Sequence, residues 1–206
     1  MPSSSGSSAQ IPPGPVIVVT GTSGAGKGTI ERILLERHPE LELAVSATTR
    51  EQRPNEVDGE HYWFLSDEEF DRRLEEKGFL EYVTFPWGQR SGTLVSEIDR
   101  IRARGRVPLL DLETDGALYV QKKVPGAVTI FVTAPTFEEL ERRLRARATE
   151  SAGEIGERLA LAREQLELAE EFDHVIVNDD LDRAADEADA IVRKEIGRKR
   201  QLPLSS

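Results

Sequence analysis

Pro15-Val-Ile-Val-Val19-Thr-Gly21-Thr-Ser-Gly-Ala-Gly-Lys27-Gly-Thr29 is the stretch on which the fold turns. A β-branched run bounded by Pro and Gly reads as a short buried strand over 15–19. A Gly-rich turn follows, and then a helix from about Gly28 to Arg37 with Ile30, Ile33 and Leu34 on one face. Strand, turn and helix in that order supply what a phosphate cradle needs. Glycines let backbone N–H groups turn inward around the phosphates, the helix N-terminus adds partial positive charge, and Lys27 reaches the β/γ oxygens. A Gly-rich turn with a chance Lys is the competing reading, and the flanking elements argue against it. Gly21, Thr22, Ser23, Gly24, Ala25, Gly26, Lys27, Gly28 and Thr29 are therefore the expected triphosphate site. Position 28 is Gly where the generic motif has Ser or Thr, so Thr29 or water must serve a magnesium ion. The cradle alone leaves GTPase, ATPase and kinase readings open.

Outward from the cradle, Leu41–Val45 alternates like a second strand. Ser66-x-x-Glu69 is a capping box ahead of a helix carrying Phe70 and Leu74. Phe79 to Thr93 reads as an insert, and residues 95–104 as a helix burying Val95, Ile98 and Ile101. Val107–Leu112 is a buried strand ending in acids, in which Pro108 is awkward because it cannot donate to a ladder. Val128–Thr133 and Val175–Val177 are further strands. Thr136-x-x-Glu139 and Ser151-x-x-Glu154 cap two helices, with Leu140 and Leu144 inside the first and Ile155, Leu159 and Leu166 inside the second. Residues 182–197 form a closing helix. Alternating strands and helices predict an α/β fold, a mainly parallel sheet covered by helices on both faces. The expected division is a disordered tail over 1–14, one domain over 15–198 and a second tail over 199–206. Within the domain the core takes about 15–44, 97–136 and 166–198, a small insert about 45–96, and a helical lid about 137–165.

The chain has 206 residues, which suits one compact α/β domain with small mobile inserts. Its net charge of -11 repels long anionic polymers, so no nucleic-acid partner is expected. A small anion needs only a local basic pocket. There is no Cys, which rules out disulfides and thiolate metal sites and is compatible with a cytoplasmic location. His38, His61 and His174 lack any ligand spacing and read as packing or surface residues. The apolar runs are far too short to span a bilayer, so no membrane partner is expected.

Val45-Ser-Ala-Thr-Thr-Arg50-Glu-Gln-Arg53-Pro-Asn-Glu-Val-Asp-Gly59-Glu-His-Tyr62 narrows the reaction. Two arginines three apart, just beyond a strand end, can fork onto one phosphate with charge-assisted bonds of about 1.5–3 kcal/mol each. The Tyr62 hydroxyl adds an orienting donor. From the charges alone, a solvated basic turn is the alternative. The pattern Ser-x-Thr-Thr-Arg-x-x-Arg-x-x-Glu-x-x-Gly-x-x-Tyr resembles the acceptor-site signature of guanylate kinases. Phe79-Leu-Glu81, Gly92-Thr93, the Arg-rich stretch 142–158 and Val175-Ile-Val-Asn178-Asp-Asp are similar to that family too, and the resemblance covers about 15–198.

The resemblance implies transfer of the γ-phosphoryl of ATP to GMP, with Mg²⁺ accompanying ATP. It implies that Arg50, Arg53 and Tyr62 hold the GMP phosphate and that Ser46, Glu81 and Thr93 read the guanine. Guanine offers adjacent N1–H and N2–H donors that one carboxylate accepts together, whereas adenine presents an acceptor at N1. By the same resemblance Arg143, Arg147 and Arg158 are lid arginines that join Lys27 in catalysis, and Asn178 lies beside the adenine. Asp111, at a buried strand end, and Thr29 are the metal candidates, Asp111 acting through water. Two other readings are a phosphoprotein-binding module without turnover and a kinase for another small phosphorylated acceptor.

The chain also departs from the family pattern. Ser91 stands where a phosphate-binding Tyr is expected, with Arg90 beside it as the substitute donor. Glu113 replaces an Asp on the guanine-proximal side of the strand end, and Asp115 a usual Gln. Ala146 and Ala148 replace lid glycines, each favouring helix by about 1 kcal/mol, so a stiffer lid is expected.

Overall fold

The computed structural model describes residues 3–4, 14–85, 87–146 and 152–199. Strand β1 is Ser3–Ser4, and β2 (Val16–Gly21) leads through the Gly-rich turn into α1 (Lys27–Arg37). Then come β3 (Leu41–Leu43), β4 (Ser46–Thr48), β5 (Trp63–Phe64), α2 (Asp67–Glu75), β6 (Phe79–Thr84) and β7 (Arg90–Leu94). The chain continues through α3 (Val95–Ala103), β8 (Val107–Asp111), α4 (Thr114–Lys123), β9 (Ala127–Thr133) and α5 (Phe137–Ala146). It closes with α6 (Ala152–Glu167), a 3-10 turn, β10 (His174–Val177) and α7 (Leu181–Lys199).

The central sheet runs β10-β9-β2-β8-β3, and every pairing in it is parallel. Alternation along β2 assigns its side chains to opposite faces. Ile17 and Val19 join Ile30, Leu34, Leu140 and Val192 from α1, α5 and α7. Val16 and Val18 join Ile98, Ile101, Ala117 and Val120 from α3 and α4. Both faces are covered, as the apolar runs require. Pro108 fits because Val107 N–H points to Glu40 on one side and Leu112 N–H to Val19 on the other. By that alternation its missing donor would face β2 one residue before that strand begins at Val16.

The insert is a second sheet in the order β1-β6-β7-β4-β5. Ser3–Ser4, in the tail expected to be disordered, pair antiparallel with Thr84 and Val83, as an open sheet edge permits. Under this sheet lies a small core of Ala47, Phe70, Phe79 and Leu94. Phe70 of α2 stacks on Phe79 with centroids 4.3 Å apart. The helix starts as expected, with Ser66 Oγ accepting from Glu69 N–H at 3.1 Å. The Glu69 carboxylate turns instead to Arg72 and Arg73, so half of the capping box forms. Arg90 lies over Phe70 and pairs with Asp67 and Asp71 of α2. The arginine expected as a substitute phosphate donor is thus held by α2 in this structure. Among the described residues no helix is long and apolar enough to cross a membrane.

Candidate active site

The donor end forms where β2 stops. Gly21 passes so close to β9 that an added Cβ would lie 2.0 Å from Val132 O, which only Gly avoids. Thr22 N–H then donates to Val132 O and Ala25 N–H to Thr22 O, closing the turn ahead of Lys27. Asn178, just past β10, fastens the loop from outside. Its side-chain amide donates to Ala25 O at 2.7 Å, and its backbone N–H donates to Thr133 O at 2.7 Å. Arg143 of α5 donates to Asn178 O at 3.0 Å and pairs with Glu139. Asn178 was expected beside adenine; here it sets the cradle's shape, a role the sequence did not signal.

The parallel register places Val19 beside Asp111, bringing the end of β8 against the loop. Lys27 Nζ lies 2.5 Å from Asp111 Oδ1. Burial disfavours the Lys27 charge, but the Asp111 carboxylate, with Glu113 and Glu31, outweighs it and raises the ammonium pKa. Glu31, one turn on from Lys27, is buried; desolvation and Asp111 push its pKa up to about 7. Thr20 Oγ1, Thr22 Oγ1 and Glu31 Oε1 are buried without a hydrogen-bond partner. Unsatisfied oxygens beside a cationic loop leave polar capacity for a phosphate and its hydrated cation. Among the described residues no three acidic or imidazole groups gather into a metal cage. Mg²⁺ is generally held by one or two carboxylates, water and substrate phosphates. Asp111, its side chain 46% exposed, fits that role, and Thr29 lies at the start of α1.

The acceptor end comes from strand pairing between distant segments. Ser46 on β4 faces Thr93 on β7, and Thr93 faces Glu81 on β6. All three expected base readers therefore share one face of the insert sheet. Glu81 Oε1 accepts from Thr93 N–H at 2.9 Å and from its hydroxyl at 2.8 Å. Burial pushes the Glu81 pKa up to about 7 against those two donors, and the Glu113 charge adds to the rise. The Thr-Thr-Arg run also gains a physical reading. Thr48 Oγ1 donates to Arg90 O and accepts from Arg50 N–H, while Thr49 Oγ1 accepts from Arg90 N–H, so both threonines tie the Arg50 loop to β7.

Arg50 forks onto Glu56, with bonds of 3.0 and 2.7 Å, and lies over the rings of Tyr62 and Phe64. Glu56 also accepts from Arg53 N–H at 2.8 Å, and these donors draw its pKa down to about 2. Arg53 itself is exposed. Ser91 shares the Thr93 face but donates to Ala47 O at 3.1 Å. Glu56 is a site residue the sequence reading passed over, although its spacing from Arg50 and Arg53 belongs to the quoted pattern.

Glu113 stands at the N-cap position of α4, and its charge acts on both Lys27 and Glu81. Gln165 of α6 donates to Glu113 at 3.3 Å, a link that no motif announced. Arg158 is exposed on α6, whereas Arg147, Ala148 and Ser151 lie outside the described residues, as does the Glu154 side chain. His38 is buried and bonded to Asp189, a packing role as expected.

A cradle around Lys27 and a carboxylate-bearing sheet, joined through one strand end, amount to two facing sites. Known proteins place the chain accordingly. The family model described as guanylate kinase matches residues 14–195. A guanylate kinase of Synechococcus elongatus is 45% identical over 179 residues, covering 87% of this chain and 97% of its own. One from Rubrobacter xylanophilus is 46% identical, covering 88% and 94%. The crystal structure of guanylate kinase from Anaplasma phagocytophilum superposes with a TM-score of 0.69 at 29% identity, covering 88% of this chain and 86% of that one. With cradle, acceptor sheet and these matches in agreement, the chain belongs to the guanylate kinase family.

Proposed function

We propose that this chain transfers the γ-phosphoryl of ATP to GMP, giving ADP and GDP. The chain is a nucleoside monophosphate kinase of the guanylate kinase family. The observation that carries the guanine assignment is the buried Glu81 carboxylate, aligned with Thr93 and Ser46 across three paired strands. Its oxygens accept N1–H and N2–H of guanine, and the Thr93 hydroxyl, now donating to Glu81, turns to the guanine O6. Arg50, Arg53 and Tyr62 hold the acceptor phosphate; Glu56 and the ring of Tyr62 keep the Arg50 fork in place beforehand.

A phosphate oxygen of GMP attacks Pγ, the bond from Pγ to the β,γ-bridging oxygen breaks, and ADP leaves with the electron pair. The attacking oxygen is already ionised near neutral pH, so the reaction needs positioning and charge neutralisation rather than a general base. Lys27 supplies charge at the β/γ oxygens, exchanging part of its contact with Asp111 for phosphate. Arg143, Arg147 and Arg158 approach as the lid closes, and exclusion of water suppresses hydrolysis of ATP. Asp111, through water, and Thr29 would hold a Mg²⁺ bound with ATP, which would supply charge neutralisation at the triphosphate. Asn178 keeps the cradle closed at Ala25 and flanks the adenine.

The substrates ATP and GMP and a cytoplasmic setting follow from this reading. The test is a coupled assay with ATP, Mg²⁺ and each nucleoside monophosphate in turn. GMP is expected to turn over with a kcat/KM several powers of ten above that of AMP; equal turnover of the two defeats the guanine assignment.

A further inference from the structure

Glu81 meets more than Thr93. Its other oxygen, Oε2, lies against Gly116 in the first turn of α4, where a Cβ added to Gly116 would sit 2.8 Å from Oε2, 3.4 Å from Cδ and 3.7 Å from Cγ. Gly116 has no positive φ, so its backbone would accept alanine. What such a side chain would meet is the carboxylate across from it, not the backbone of another element.

From this contact we infer that Gly116 is a specificity-determining position: the absence of a side chain there sets where the Glu81 carboxylate stands, and hence how well the site tells guanine from other bases. The inference rests on the reading that Glu81 accepts from guanine. Thr93 anchors Oε1, its N–H remaining there when the hydroxyl turns to guanine, and Gly116 is the surface against which the other oxygen is placed. A methyl group at 116 meets the end of a flexible side chain, so the fold yields there at little cost. The yielding atom is nevertheless the one that must face the base. Displacing a charge-assisted acceptor from its donor line forfeits most of its selectivity, because alignment fixes its strength. Gly116 touches no substrate in this reading; it is a positioning residue acting through Glu81.

The experiment compares Gly116→Ala, Glu81→Gln and the double variant. In Gly116→Ala the kcat/KM for GMP falls roughly tenfold to a hundredfold, the loss of one charge-assisted bond. AMP turnover and the KM for ATP stay as they were. Tm is unchanged or higher, since Ala suits a helix better than Gly. The double variant matches Glu81→Gln alone, because the methyl group then has no charged acceptor to displace. Full guanine selectivity in Gly116→Ala, or losses that multiply in the double variant, overturns the inference. If Glu81→Gln itself keeps guanine selectivity, the underlying reading of Glu81 has failed, a separate result. Should Gly116→Ala lower Tm sharply, Gly116→Ala/Glu81→Ala removes the opposing carboxylate. Recovery of Tm then supports the contact, and a Tm that stays low rejects it.

Discussion

The two ends of the site are built differently. The donor cradle is continuous in sequence from Gly21 to Thr29 and is bolted to the central sheet by Val132, Asn178 and Asp111. The acceptor end is assembled from segments around residues 46, 50, 81 and 93, on a separate sheet with its own small core. Backbone shapes the first, so its chemistry suits any triphosphate. Side chains held in register shape the second, so the choice of acceptor resides there. The comparison teaches that rate and selectivity are carried by different architectures and should fail separately under mutation.

The largest effect belongs to the donor end. Lys27→Ala removes the cation at the transferring group and leaves Asp111 without its partner. We expect kcat to fall roughly 10²–10³-fold, the scale for deleting a principal charge-stabilising donor. The loss should be the same for every acceptor tried, because Lys27 does not touch the acceptor base. A loss confined to GMP would break the division between the ends.

Glu81→Gln gives the converse. It sets an amide N–H against a guanine donor, and kcat/KM for GMP should drop about a hundredfold, with the KM for ATP unmoved. Stability should shift the other way. Glu81 has a folded pKa of about 7 against an ordinary value of 4.5. Between those pH values the folded chain keeps a proton that the unfolded chain has released. Stability from this group is therefore complete below pH 4.5 and is lost as pH rises through 7. At pH 8 the neutral Gln variant should be the more stable by on the order of 2–3 kcal/mol, with little difference at pH 4.5. Urea unfolding at the two pH values measures this. A variant that is less stable at pH 8 would show that Thr93 and the neighbouring α4 compensate the buried charge.

Much of this was legible in the sequence, for a physical reason. The cradle is local: turn glycines, Lys27 and the helix start are fixed by neighbours a few residues away, so a linear pattern captures them. The parallel sheet was legible because β2 and β9 are largely buried and read as near-continuous runs rich in β-branched residues. What the residues alone did not yield was long-range. That Glu81 stands beside Thr93 and Gly116 depends on strand register and on how α4 packs against β6. Asn178 fastening Ala25 spans most of the chain. The pairing of Arg90 was not legible because its partners, Asp67 and Asp71, lie on a helix whose placement no local pattern fixes.

The smallest expected effect concerns Ser91, the acceptor-face residue that departs from its family. Its hydroxyl is spent on Ala47 O at 3.1 Å, and the neighbouring Arg90 is committed to α2, so neither reaches toward a phosphate. In the proposed reading the acceptor phosphate is left to Arg50, Arg53 and Tyr62. In Ser91→Tyr the ring would extend over the face shared with Thr48 and Thr93, carrying a hydroxyl outward by the length of an aromatic ring. One added neutral hydrogen bond contributes about 1 kcal/mol, so the KM for GMP should fall about fivefold, with the KM for ATP unchanged. The gain should vanish in Arg50→Ala if both groups grip the same phosphate, since a loosened phosphate no longer presents its oxygen to the new hydroxyl. A KM for GMP that is unchanged or higher in Ser91→Tyr would mean that the new hydroxyl finds no phosphate oxygen and that the acceptor sheet has settled around the smaller residue.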